Sequence, residues 1–183
     1  MPTIQAALKH MDAAVEALRR EFATVRTGKA SPALLDTIRV EAYGSIVPLN
    51  QVATVSAPEP RLLLVQPWDR SMMGPVEKAI QTSDLGLNPA NDGKVIRVPI
   101  PPLTEERRRE FVRLLHKMAE EARVSVRHAR KEANDEIKRL QKDGEVSEDD
   151  ARRRQDEIQK HTDRHIQAID DLLRHKEAEV MEV

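Results

Sequence analysis

A chain of 183 residues with no cysteine, four aromatic side chains and 30 basic against 31 acidic residues excludes several classes of protein at the outset. Disulfides, thiolate nucleophiles, Cys-ligated zinc and iron–sulfur clusters all require cysteine. An apolar fraction of 39%, below the usual ~45–50%, leaves no thick aromatic core. No apolar run approaches the ~18 residues of a membrane span, and residues 1–11 lack the basic-then-apolar order of a secretory leader. A cytoplasmic protein without membrane contact is expected.

Near-neutral net charge argues against a general nucleic-acid coat, which needs a positive surface. The total hides segregation, however. Residues 105–143 carry twelve basic and nine acidic side chains, whereas residues 145–183 carry seven and twelve.

Ile4, Met11, Leu18 and Val25 recur every seven residues with Leu8, Val15 and Phe22 between them. This heptad pattern predicts a first helix that stops at Gly28. The next segment changes character, because ten of the eleven prolines fall between Pro32 and Pro102, and proline cannot sit inside a helix without losing a hydrogen bond. Short strands are predicted at 38–42, 46–48, 52–55, 62–66 and 95–99, with a turn at Tyr43-Gly44-Ser45 and a helix over 71–82 capped by Ser71. Trp68, the sole tryptophan, is read as a core residue.

From Phe111 to Leu140 apolar residues return every three or four positions, predicting one long amphipathic helix from a Thr104 cap to Gly144. A third helix starts at Ser147 with Glu148, Asp149 and Asp150 in its first turn and carries Ile158, Ile166, Ile169, Leu173 and Val180. The last two helices would each run about 35 residues, roughly 50 Å. The short turn between them makes them antiparallel neighbours, and the first helix completes a three-helix bundle.

The fold class is therefore α+β: a discontinuous bundle domain, 1–29 plus 105–183, with a small β/α/β domain inserted at 30–104. The crossing strands at 28–32 and 99–104 pair glycine with a proline run and predict a hinge at Gly28, Ala30, Ser31, Pro32, Pro101, Pro102, Leu103 and Thr104.

The sequence has neither G-x-x-x-x-G-K nor G-x-G-x-x-G, so no bound nucleotide or other cofactor is expected. His161 and His165 stand one turn apart with Glu157 a turn earlier, a spacing that could bind zinc. The glutamate expected between the histidines of a zincin is missing, and a structural role is preferred: no metal. Carboxylates lie on solvated helix faces without a pocket, and no enzyme is expected.

One constellation points to a ligand. Arg123, Arg127 and Arg130 each follow a core position by one residue, forming a stripe beside the apolar seam that Lys131 widens. Arginine forks at this spacing can grip successive phosphates. The middle of the stripe faces Lys131 and Arg123 at i,i+4, which predicts that intrahelical pairing leaves it cationic. The alternative is a salt bridge to the acidic third helix, and carboxylates of that helix locked onto the guanidinium groups would remove the RNA reading. Arg26 and Lys29 are further candidate contacts to RNA near the hinge. Without stacking aromatics on this helix, a structured RNA backbone is the expected target.

The segments Arg26-Thr27-Gly28-Lys29-Ala30-Ser31-Pro32, Asp69-Arg70-Ser71, Val76-Glu77-Lys78-Ala79-Ile80, Ser83-Asp84-Leu85-Gly86-Leu87-Asn88-Pro89, Ile96 through Arg108, and Glu132-Ala133-Asn134-Asp135 resemble the bacterial ribosome recycling factor family. The resemblance runs in order along essentially the whole chain. It implies an L-shaped, tRNA-sized monomer that occupies the post-termination ribosome and, with elongation factor G and GTP, promotes subunit splitting and release of mRNA and deacylated tRNA. It further implies that Arg127, Arg130 and Lys131 meet large-subunit ribosomal RNA. Lys29 and Lys131 stand where the family commonly has arginine, and His128 where asparagine is more usual. A coiled-coil adaptor binding a protein through its helices is the rival reading.

Overall fold

The computed structural model describes residues 2–182, which divide into two compact units. One joins the chain up to Thr27 to Glu105–Glu182; the other is Gly28–Thr104.

The first unit holds three long helices. α1 spans Pro2–Thr24, α3 Glu105–Lys142 and α4 Glu148–Met181. At 1.5 Å per residue α3 and α4 are about 57 and 51 Å long. The heptad residues Ile4, Met11, Val15, Leu18, Phe22 and Val25 are all buried, as are Leu115, Val126 and Ile137 of α3 and Ile158, Ile169, Leu173 and Val180 of α4. The seam departs from expectation in three places. On α1 Ala7 is buried where Leu8 is only half-buried. Ala119 is fully buried where Met118 is only half-buried, and Thr162 enters the α4 core, its hydroxyl donating to the Ile158 carbonyl at 2.8 Å. Four buried alanines on α3, at 119, 122, 129 and 133, let neighbouring backbones approach closely. Between α3 and α4 Gly144 takes the left-handed conformation (φ 75°). Ser147 then caps α4, its hydroxyl accepting from the Asp150 amide at 3.2 Å, with three acidic residues in the first turn complementing the dipole.

The second unit packs a four-stranded antiparallel sheet, a hairpin and one helix around its own core. β1 (Arg39–Ala42) and β2 (Ser45–Pro48) form the hairpin. Tyr43 and Gly44, at φ 50° and 80°, supply the two left-handed residues of a type I′ turn. The sheet order is β3-β4-β6-β5, with β3 at Ala53–Glu59, β4 at Leu62–Pro67, β5 at Ala90–Asn91 and β6 at Ile96–Pro99. The two-residue β5 is too short to carry a period and was not expected. α2 (Met73–Gln81) packs Val76 and Ile80 into the core. Its approach is set by Asp69 rather than Ser71: the Asp69 carboxylate accepts from the Ser71 amide at 2.9 Å and opens a 3₁₀ turn that leads into the helix.

Trp68 is not a core residue. It is 66% exposed because alternation along β4 sends Leu63, Val65 and Pro67 inward and Gln66 outward, and Trp68 continues the outward set. Its indole N–H donates to Thr54 Oγ1 at 2.8 Å.

Both chain segments that enter the second unit are fastened to the same β3–β4 turn. The Ala30 amide donates to Pro60 O at 2.6 Å and the Ile100 amide to Arg61 O at 2.8 Å. Ala30 packs on the second core and Pro32 begins a 3₁₀ turn, Pro32–Leu35. Ala30, Ser31 and Pro32 lie within this unit, which starts at Gly28.

Candidate nucleic-acid interface

α3 carries Arg123, Arg127, Arg130 and Lys131 beside its buried seam of Ala122, Val126 and Ala129. The offset of one residue turns each arginine about 100° from the core, and Lys131, two residues past Ala129, lies farther round the helix. Their environments differ, and the differences divide the stripe.

Arg123 is a structural arginine. Its Nε and Nη2 donate to Asp170 Oδ1 of α4 at 2.9 and 2.7 Å, its Nη1 donates to Glu120 Oε2 at 3.1 Å, and its side chain is only 20% exposed. Burial works against the charge, but the bonds it donates to Asp170 and Glu120 outweigh it and raise its pKa above the ordinary arginine value. For this residue the salt bridge to the acidic third helix is what the structure contains.

Arg127 is intermediate. It pairs with Glu120 of its own helix, whose carboxyl is held below the usual carboxylate range by hydrogen bonds from Arg127 and then Arg123. The expectation that intrahelical pairing could not reach the middle of the stripe is therefore wrong. Glu120 lies seven residues before Arg127, two turns along the same face, and two long side chains span a gap that the i,i+4 rule does not count.

Arg130 and Lys131 keep their charge. Nη1 of half-buried Arg130 stands 3.4 Å from Gln159 Oε1, a neutral partner. Lys131 is exposed, and among the described residues no carboxylate pairs with either cation. Next to them, His128 lies 3.3 Å from Glu132, which also lies 3.7 Å from His10 of α1.

Arg26 ends the α1 side of the first unit, half-buried, while exposed Lys29 belongs to the second unit. Of the candidate zinc residues, His161 places Nε2 3.8 Å from Glu157 Oε1, and His165 turns to another partner. His165 places Nδ1 2.6 Å from the His161 carbonyl and Nε2 2.6 Å from Asp12 Oδ1 of α1, so both ring nitrogens face oxygen atoms and the residue ties α4 to α1. Among the described residues no cluster of three metal-ligating side chains is assembled, and no helix is long and apolar enough to cross a membrane.

Glu120, Asp170 and Gln159 were missed in the sequence. Glu120 could have been found by counting partners at i−3 and i−7 from the arginines; Asp170 and Gln159 become neighbours only once α3 and α4 are in register.

A long helical bundle interrupted by a small inserted unit of sheet and helix places the chain in the α+β class. The sequence model described as "Ribosome recycling factor" matches residues 18–181, and the chain belongs to that family. It is 55% identical over 180 residues to the "Ribosome-recycling factor" of Carboxydothermus hydrogenoformans, covering 98% of this chain and 97% of that one. It is 58% identical over 175 residues to that of Rubrobacter xylanophilus, covering 96% and 94%. Among solved structures, the solution structure of the ribosome recycling factor aligns with a TM-score of 0.75 at 47% identity, over 100% of this chain and 97% of that one. A second, of the T. thermophilus ribosome recycling factor and E. coli elongation factor G bound to the E. coli post-termination complex, aligns with a TM-score of 0.64 at 48% identity, over 99% and 98%.

Proposed function

We propose that this chain recycles ribosomes: it binds the post-termination ribosome through the α3 face centred on Arg130 and Lys131 and, with elongation factor G and GTP, promotes subunit splitting and release of mRNA and deacylated tRNA. The observation that carries the anchor is the pair of adjacent cations on one helix with, among the described residues, no carboxylate paired to them, beside an arginine whose position Asp170 fixes. Such a pair releases counterions on contact with phosphate, which gives salt-dependent affinity. With no phosphate-binding loop in the sequence, the work of splitting comes from the GTPase partner, and a rod about 57 Å long transmits displacement. Flexing is assigned to Gly28 and Lys29 on one crossing and to Pro101, Pro102, Leu103 and Thr104 on the other, the residues next to the boundary between the two units.

Sedimentation of terminated ribosomes with this protein, elongation factor G and GTP tests the activity: splitting should require all three. Arg130→Ala should weaken ribosome binding by roughly 10- to 100-fold, the worth of a charge-assisted contact of about 1.5–3 kcal/mol. Normal binding by that variant at physiological salt, or affinity insensitive to salt, would remove the anchor and favour a protein-docking bundle.

A further inference from the structure

We infer that Arg123 and Arg127 form a phosphate subsite which the Glu120 carboxylate fills in the free protein and yields to RNA. The inference rests on the anchoring role proposed for α3 and extends it to residues that the free protein holds in ion pairs. The geometry is that of an anion receptor. Glu120 Oε2 accepts from Arg123 Nη1 at 3.1 Å, and Oε1 accepts from Arg127 Nη2. Two guanidinium groups from successive turns thus converge on one two-oxygen anion, the arrangement in which arginine forks take a phosphodiester.

The receptor is built on one side and loose on the other. Asp170 Oδ1 grips Nε and Nη2 of Arg123 from α4, which leaves Nη1 as the end of this fork turned to Glu120. That orientation is fixed before any ligand arrives. Glu120 is 54% exposed and Arg127 41% exposed, and ion pairs this open contribute little to stability. Both partners of Glu120 lie on α3 itself, so releasing it breaks no contact between helices. Asp170, by contrast, joins α4 to α3 and cannot leave without loosening the bundle. Arg130 and Lys131 lie one turn beyond Arg127 on the same edge, so a backbone gripped there passes its next phosphate towards the Arg123–Arg127 pair.

Glu120→Gln keeps the side chain's size and removes its charge. Binding of this variant to isolated large ribosomal subunits, measured across a range of salt, should be about 3- to 10-fold tighter than that of the unsubstituted protein, with the plot of log affinity against log salt steeper by about one, as for one added phosphate contact. Arg127→Ala should cancel the gain, leaving the double variant no tighter than Arg127→Ala alone. Thermal unfolding of Glu120→Gln close to that of the unsubstituted protein shows that the gain is not one of folding. Unchanged or weaker binding by Glu120→Gln, or a gain that survives Arg127→Ala, overturns the subsite. Arg130→Ala in the same titration separates the two readings: if it weakens binding while Glu120→Gln changes nothing, the subsite alone falls, and if it too is without effect, the anchor falls with it.

Discussion

Leu103 packs against the α-carbon of Gly28, so the two segments entering the small unit run side by side: a Cβ on Gly28 would stand 3.5 Å from Leu103 Cγ, an ordinary contact. The constraint on Gly28 is therefore its backbone, at φ +81°, where an L side chain meets its own carbonyl. Gly28→Ala should destabilise the protein by about 1 kcal/mol, seen as a lower urea midpoint. Gly28→Asn should cost less, since asparagine tolerates this region. Trimming Leu103 to Ala should not restore the Gly28→Ala variant; recovery there would place the cost in the side-chain contact instead.

Arg123 and Arg130 are one stripe in the sequence but two kinds of residue in the fold, and stability should tell them apart. Removing Arg123 leaves Asp170 without its partner across the α3–α4 seam. Arg123→Ala should cost about 1–2 kcal/mol, and a double-mutant cycle with Asp170→Asn should show coupling, as contacting partners do. Arg130→Ala should leave stability within about 0.5 kcal/mol, the usual range for a surface change. Equal losses from the two variants in chemical unfolding would contradict this division.

How far the sequence reached depends on which interactions each element answers to. The bundle was legible because a heptad repeat such as Ile4–Met11–Leu18–Val25 records its buried face directly, and because Gly144 and Ser147 stop and restart a helix by local backbone and capping chemistry. The hairpin at Tyr43-Gly44 was legible for the same reason. Trp68 was misread because its size suggests burial, whereas the register of β4 decides which face it takes. The cap expected at Ser71 is absent: a 3₁₀ turn capped by Asp69 takes up Ser71 and leads into the small helix, which starts at Met73 without a side-chain cap. The binding stripe was legible in position but not in charge. Whether Arg123 is a contact or a strut depends on Asp170, 47 residues away, and no local pattern contains that information.

The only tyrosine in the chain gives a direct view of the hairpin's latch. Tyr43 adopts a left-handed conformation unusual for a side chain of its size and is 76% exposed, yet its hydroxyl donates to Asp69 Oδ2 at 2.7 Å. That bond ties the β1–β2 turn to the residue that opens the approach to α2. The Asp69 carboxylate raises the phenol's pKa above 10.0, first through the hydrogen bond and then through burial and charge. Its own carboxyl is lowered from 3.8 by the bond from Tyr43 and by the Ser71 amide. A raised phenol pKa means the folded state holds that proton more tightly, so its contribution is complete below pH 10.0 and disappears as pH rises through the folded value. A lowered carboxyl pKa has the opposite consequence: its contribution is complete above pH 3.8 and is lost as pH falls through the folded value. The latch should hold across the interval between. Absorbance titration of the single phenol should give a midpoint above 10.0, and Asp69→Asn should bring it back towards that ordinary value. A midpoint that does not move in Asp69→Asn would show that the tyrosine is not held by this carboxylate in solution.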